Sequence, residues 1–133
     1  MRNLNMPEPN VSLDFSPSKV DAFRFNEVNL TINVSMEEDK PYWCECVVEA
    51  PSPLSLAPDK ELATAKTIIG IVGNGRRREK RIKIFAGNNV YPDIYKVKIT
   101  VYLYDEEGVI YVRKDATKEI ECSGNDGKLL QNI

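Results

Sequence analysis

The chain has 133 residues, 29% of them charged, and a formal net charge of −2, which fits one domain with its own core. This charge balance creates no field that would draw the protein onto nucleic acid or an anionic membrane, and no apolar run approaches the length of a transmembrane helix. Histidine is absent, so the commonest general base and the Ser-His and Cys-His catalytic pairs are missing.

The first half of the chain predicts three strands, each marked by alternating apolar and polar residues. Residues 1–10 are expected to form a flexible lead-in, and VSLDF at 11–15 the first strand. Residues 27–35 have the cleanest alternation, with these side chains facing inward: Val28, Leu30, Ile32 and Val34. After the turn MEEDKP, the mixed pattern of YWCECVVEA at 42–50 predicts partial burial on both faces. A proline-rich connection then leaves open a short edge strand at Leu54–Leu56.

The second half predicts the remaining strands. Residues 64–72 and 79–86 are joined through GNGRRR, and its Asn-Gly pair is a strong hairpin signal because both residues tolerate positive φ. YPDIYKVKITVYLYDEEG contains the longest alternating strand, followed by a last strand from Val109 to about Cys122 that leaves open an interruption near Asp115. Frequent turns between short strands indicate an all-β sandwich or barrel over residues 11–122, with a polar tail at 123–133.

Two aromatic residues support a narrower assignment. Tyr95 follows Pro92 at the start of the penultimate strand, and Trp43 lies early in the third strand. This pattern resembles an immunoglobulin-like or fibronectin type III-like sandwich, in particular prokaryotic adhesion modules of the CARDB type. The resemblance implies an immunoglobulin-like antiparallel β-sandwich of seven to eight strands, a tyrosine corner at Tyr95, and a binding or structural role. Asp93 departs from the Gly that such turns often carry, and no cysteine pair links strands two and six.

The three cysteines, Cys44, Cys46 and Cys122, are too few for a closed zinc site. Cys44 and Cys46 lie two apart on a strand, at the limit of disulfide reach, so we expect reduced, mostly buried thiols. A bridge from Cys122 to one of them is the alternative.

No apolar signal-peptide core is visible near the N-terminus, so we expect a cytoplasmic protein, or an extracellular one if a leader has been removed. The composition suggests a heat-adapted source.

A basic run places six positive charges within eight residues: Arg76, Arg77, Arg78, Lys80, Arg81 and Lys83. A basic hairpin over Arg76–Lys83 could follow a phosphate backbone, but it lacks interleaved aromatic residues on which bases stack. An immunoglobulin-like topology would bring MEEDKP, GNGRRR and DEEG to one end. The favoured interpretation is therefore an internal ion-pair network between these loops. A basic partner site and a Ca²⁺ site at the acidic loops stay as alternatives.

An aromatic stripe is predicted on the sheet that holds the last two strands. Tyr102 and Tyr104 face outward, with Tyr111 and Tyr42 nearby. Aromatic residues are enriched at protein interfaces, although cross-strand aromatic pairs also stabilise sheets. We therefore predict a non-catalytic protein-interaction or structural module, with no cofactor and no metal, that binds a protein partner or itself through the partner-binding candidates Tyr102, Tyr104 and Tyr111 or through an exposed edge strand. Nucleic-acid binding through Arg76–Lys83 is the alternative, and no membrane partner is expected.

Overall fold

The structure, a computed structural model, describes residues 8–124, so most of the predicted lead-in over 1–10 and of the predicted tail over 123–133 lies outside the described residues. Within residues 8–124 every regular element is a strand, and no helix is long and apolar enough to cross a membrane. The eight strands are β1 (Asn10–Ser16), β2 (Lys19–Asp21), β3 (Asn26–Ser35), β4 (Tyr42–Glu49), β5 (Thr64–Val72), β6 (Arg77–Ala86), β7 (Asp93–Tyr104) and β8 (Ile110–Ser123).

Two sheets pack face to face. The smaller sheet has the strand order β1-β3-β6, and the larger has the order β2-β8-β7-β4-β5. All pairings are antiparallel except that of β2 with β8, which is parallel. The predicted all-β, immunoglobulin-like sandwich is confirmed. The short parallel strand β2 was not predicted, because three residues are too few to show an alternating pattern.

The core is built from the apolar rows of the strands. In β3 the inward row is at most 1% exposed, as its alternation predicted: Val28, Leu30, Ile32 and Val34. In β7 the facing row is completely buried: Val97, Ile99, Val101 and Leu103. Because each fully buried Val, Leu or Ile contributes about 1.5–3 kcal/mol, these rows dominate the stability of the sandwich.

Strand β4 alternates more strictly than predicted. Its even-numbered side chains are buried, and its odd-numbered side chains are partly or fully exposed. The expected partial burial is therefore found on the outward face, at Glu45 and Val47, but the inward face is fully buried. The buried row consists of Tyr42, Cys44, Cys46 and Val48; cysteine packs here as a small hydrophobic residue, and Tyr42 as a core aromatic residue.

The Asn-Gly turn forms, but the hairpin does not. Asn74 and Gly75 have φ values of 54° and 79°, and Gly73 and Arg76 exchange backbone hydrogen bonds of 3.1 and 3.0 Å across the turn. However, β5 pairs with β4, whereas β6 pairs with β3 in the other sheet. The predicted basic hairpin over Arg76–Lys83 is therefore wrong, because the turn carries the chain from one sheet to the other.

Two open alternatives are also resolved. Strand β8 continues without interruption, since Asp115 pairs with Thr100 of β7 in regular register. The segment Leu54–Leu56 contributes only an isolated bridge, in which Ser55 exchanges backbone hydrogen bonds of 3.0 and 2.7 Å with Phe85.

Tyr95 forms the tyrosine corner that the resemblance implied. It is buried, and its hydroxyl donates a 2.8 Å hydrogen bond to the carbonyl oxygen of Tyr91, four residues upstream. Asp93, in the place where Gly was expected, accepts a 2.7 Å hydrogen bond from the Ile94 N–H through its Oδ1. The corner thus fixes the entry of the chain into β7.

All three cysteines are buried and unpaired, as the favoured interpretation predicted. Burial raises the pKa of Cys44 to about 12 and that of Cys46 to about 11.

Because the thiolate is the reactive form, we expect negligible labelling of the native protein by a thiol reagent at mildly alkaline pH. After unfolding in guanidinium, all three thiols should react. Intact-mass spectrometry measures both states, and rapid labelling of the native protein would contradict this burial.

Candidate functional site

One exposed and two partly exposed aromatic side chains lie side by side on the outward side of the five-stranded sheet. Trp43 of β4 pairs with Tyr104 of β7. Two residues further along β4, Glu45 pairs with Tyr102, so Tyr102 lies on the same outward side of the sheet. Across β7 and β8, Tyr102 pairs with Arg113. We call Trp43, Tyr102, Tyr104 and Arg113 the aromatic face.

Trp43 is oriented by a neighbouring carboxylate. Its Nε1–H donates a 2.7 Å hydrogen bond to Glu45 Oε2, and Lys66 Nζ lies 3.0 Å from Glu45 Oε1. The hydrogen bond from Trp43, followed by the contact with Lys66, holds the pKa of Glu45 below its usual range. Glu45 therefore stays ionised near neutral pH and continues to accept the hydrogen bond from the indole. Trp43 is 40% exposed.

Arg113 places a positive charge at the β8 edge of the aromatic face. Its guanidinium carbon lies 6.0 Å from the centroid of the Tyr102 ring, at the limit of the cation–π range. Its Nε lies 3.7 Å from Asp115 Oδ1, an exposed contact that contributes little to stability. The aromatic face thus combines flat rings with polar groups that remain available at its border.

Tyr111 does not join the aromatic face, so the predicted stripe is wrong in its composition. A register shift in the β7–β8 pairing turns Tyr111 toward the end of the sandwich, where its ring centroid lies 4.7 Å from that of Tyr42. The hydroxyls of Tyr42 and Tyr111 donate hydrogen bonds of 2.8 and 3.1 Å to the two carboxylate oxygens of Glu38. Burial is the main reason that the pKa of both phenols is raised, so they act as hydrogen-bond donors.

The three loops predicted to gather at one end do so. The Asn74 N–H donates a 2.6 Å hydrogen bond to the carbonyl oxygen of Glu38, and Lys40 lines a surface depression of about 340 Å³ together with residues 105–107. Among residues 8–124, no salt bridge within 4 Å joins the arginines at 76–78 to the acidic loops. The predicted ion-pair network is wrong, because hydrogen bonds hold these loops together. The described part of the chain also contains no group of three acidic or cysteine side chains placed to hold a metal.

The basic run is divided by the alternation of β6. Arg77, Arg81 and Lys83 belong to the outward row of the three-stranded sheet. Lys83 Nζ lies 3.0 Å from Glu27 Oε2, and Arg81 Nε lies 3.4 Å from Glu79 Oε2. Two of the three outward cations therefore already face carboxylates of their own sheet.

The other basic residues point elsewhere. Arg78 and Lys80 lie in the row of β6 that faces the second sheet, and Arg76 lies in the turn. Arg78 Nε–H donates a 3.0 Å hydrogen bond to the carbonyl oxygen of Ile71 in β5, so this side chain connects the two sheets. Six charges distributed over two sides and a turn do not form a track for a phosphate backbone, and the nucleic-acid alternative gains no support.

Two members of the aromatic face, Trp43 and Arg113, were not predicted as site residues from the sequence, and neither was Glu45, which accepts the hydrogen bond from Trp43. The outward positions of Trp43 and Glu45 could have been predicted. If Cys44 faces inward, the alternation of a strand makes its two neighbours face outward. Arg113 becomes recognisable only when the register of β8 on β7 is known.

Comparison with known proteins identifies a fold and no family: no family model matches the chain, and no curated protein is detectably similar in sequence. One chain of the complex between zinc 2-glycoprotein and prolactin inducible protein from human seminal plasma has a TM-score of 0.59 and 8% identity, with 92% of this chain and 100% of that chain covered. The CARDB domain of a Pyrococcus furiosus protein in complex with di-metal ions has a TM-score of 0.47 and 14% identity, with 90% of each chain covered. For a Pseudomonas fluorescens alkylpurine DNA glycosylase bound to DNA, the values are 0.43 and 13%, with 86% of this chain and 30% of that chain covered.

The first of these likenesses supports the sandwich fold and, at 8% identity, nothing more specific. The other two have TM-scores below 0.5 and support no argument about function. What this protein does must therefore be inferred from its own surface.

Proposed function

We propose that this protein is a non-catalytic module that binds a protein partner through the aromatic face. The observation that carries the proposal is the position of Trp43, which lies 40% exposed beside Tyr104 on an ordered sheet instead of in the core. Trp, Tyr and Arg are the residues most enriched among those that dominate protein-binding energies, and the aromatic face contains all three. The lack of histidine supports the non-catalytic part of the proposal.

The surroundings of the aromatic face match the anatomy of an interface. Ile68 and Ile110, 55% and 54% exposed, extend its apolar area along β5 and β8. Lys66, paired with Glu45, adds charge on the β5 side of the aromatic face, whereas Arg113 lies on its β8 side. An apolar centre with a polar rim is the usual arrangement of a protein-binding surface. The sheet also fixes the rings before a partner arrives, which lowers the entropy cost of association.

We expect that replacing Tyr102 and Tyr104 together with Ser weakens partner binding at least about 30-fold, since loss of one hot-spot side chain costs about 2 kcal/mol or more. Both side chains face outward, so the change opens no core cavity, and the melting temperature should change by only a few degrees. Affinity capture from native lysate, with and without nuclease, identifies the bound protein by mass spectrometry. Isothermal titration of that purified protein then measures the change in affinity.

The matched control is Lys96→Ser with Lys98→Ser, which alters the outward row of the same strand at its other end. It should leave the affinity unchanged. Undiminished binding by the tyrosine variant would refute the proposal, and a bound set that disappears with nuclease would indicate nucleic acid as the partner instead.

A further inference from the structure

One edge of the larger sheet is left open by the fold. Strand β5 pairs with β4 on one side and is the outermost strand on the other. The outermost strand at the opposite edge, β2, has only three residues. In the smaller sheet, the outer strand β6 is bridged by Ser55, which pairs with Phe85. Strand β5 has nine residues, and no isolated bridge within residues 8–124 involves it.

The backbone groups that point out of this edge follow from the ladder with β4. The Ala50 N–H donates a 2.8 Å hydrogen bond to the carbonyl oxygen of Ala63, directly before β5. Opposite residues in an antiparallel pair alternate between hydrogen-bonded and non-hydrogen-bonded pairs. The N–H and C=O groups of Thr64, Lys66 and Ile68 therefore point away from β4. Outside that ladder, no backbone–backbone hydrogen bond in the described part of the chain reaches these three residues.

The features that normally protect an edge strand lie outside this stretch. Proline, bulges and charged side chains are the common devices. Strand β5 contains no proline. The register shift after Cys44 and the hydrogen bond from Arg78 to the Ile71 carbonyl oxygen both belong to its far end. Lys66 is the single charged residue of β5, but its Nζ lies 3.0 Å from Glu45 Oε1 in β4, so the ammonium group is turned away from the open edge.

The open edge continues the aromatic face. Ile68, 55% exposed, pairs with Glu45 of β4, so its side chain lies on the same outward side of the sheet as that of Trp43. The five residues Thr64–Ile68 span about 17 Å, the length of an ordinary strand. A chain that pairs with them extends the sheet and places its alternate side chains on the side of the aromatic face.

A second copy of this chain fits the edge poorly. In a two-fold antiparallel pairing, the register that uses all five residues places Lys66 of one copy directly opposite Lys66 of the other. Like charges that lie directly opposite each other destabilise a pair of strands. A segment of a different protein can place an acidic or apolar side chain at this position instead.

We propose that Thr64–Ile68 is a strand-addition site, at which an extended segment of another protein pairs with β5 and becomes a sixth strand of the larger sheet. The N–H and C=O groups of Thr64, Lys66 and Ile68 supply the affinity, as in other proteins that bind peptides by extending a sheet. Lys66 favours an acidic residue opposite it. The site adjoins the aromatic face but uses backbone groups, so it goes beyond the function proposed for that face, and either can bind without the other.

The test uses a library of displayed peptides of about twelve residues, selected on the full chain, and the synthetic form of the peptide that binds best. Lys66→Pro removes an N–H that faces the open edge and no hydrogen bond to β4, so an edge strand should tolerate it. We expect this variant to bind the peptide at least about tenfold more weakly than the wild type. The matched control Lys66→Ala loses the same side chain but keeps the N–H, and its affinity should stay within about threefold of that of the wild type.

Amide hydrogen exchange measured by NMR provides a readout that needs no substitution. In the free wild-type protein, the amides of Lys66 and Ile68 should exchange at least about tenfold faster than that of Thr67, which points toward β4. The bound peptide should slow the exchange of both.

Protection of the Lys66 and Ile68 amides in the free protein would overturn the proposal, since the edge would already be covered. A library that yields no peptide weakened by Lys66→Pro would also overturn it. If the Tyr102→Ser, Tyr104→Ser variant loses the peptide while Lys66→Pro keeps it, the peptide binds the aromatic face and the strand-addition site is refuted. A wild-type dimer that Lys66→Pro dissociates would assign the edge to a second copy instead.

Discussion

Gly73→Ala is expected to lower the free energy of unfolding by about 3 kcal/mol or more, because it combines backbone strain with a steric clash. Gly73 has a φ of 87°, and an added Cβ would overlap the carbonyl oxygen of Lys40. That oxygen belongs to the backbone of the loop at 36–41, which is fastened to the same turn by the hydrogen bond from Asn74 to Glu38. Relief of the clash would therefore separate two loops that hold the end of the sandwich together.

Gly75→Ala is the matched control for this effect. Gly75 also has a positive φ, 79°, but nothing lies within 4 Å of the position that its Cβ would take. We expect it to cost about 1 kcal/mol, the conformational penalty alone. Urea unfolding followed by circular dichroism measures both variants. Equal losses of stability would show that the approach of Lys40 to the turn is not as close as the structure indicates.

Ile32→Ala is expected to cost about 2–5 kcal/mol, since it removes a completely buried side chain and leaves a cavity. Ile32 lies in the central strand of the three-stranded sheet, where it pairs with Leu13 of β1. The same substitution at Ile68, which is 55% exposed on the edge strand β5, should cost less than about 1 kcal/mol. Because the chemistry is identical, the difference isolates burial. Similar losses at both positions would contradict the assignment of core and surface rows.

Local features of the fold were predictable from the sequence. The alternation in β3 has a period of two residues, so the sequence alone defines which row is buried, and the structure buries Val28 and Val34 as expected. The tyrosine corner was also predictable, since Tyr95 reaches an acceptor only four residues away. Both features depend on contacts within a short segment of chain.

Features that depend on distant residues were not predictable. The Asn74-Gly75 pair specifies a turn, but the sheet that each flanking strand joins is decided by β3 and β4, which lie far away in sequence. In the same way, the shift that separates Tyr111 from Tyr104 arises from the fit of β8 on β7. Phe23 belongs to no periodic pattern, so its exposure and its positive φ emerge only from the structure.

The turn between β5 and β6 also has a consequence for how the chain folds. Asn26 at the start of β3 pairs with Ala86 at the end of β6, and the chain between them contributes β4 and β5 to the other sheet. Pairing of β3 with β6 therefore closes a long loop that carries β4 and β5, and the entropy cost of closing this loop must be overcome before the pairing stabilises the chain. Folding should then be a single, slow event on the millisecond-to-second scale typical of all-β sandwiches. Until β6 arrives, an edge of β3 stays open to pairing with other chains.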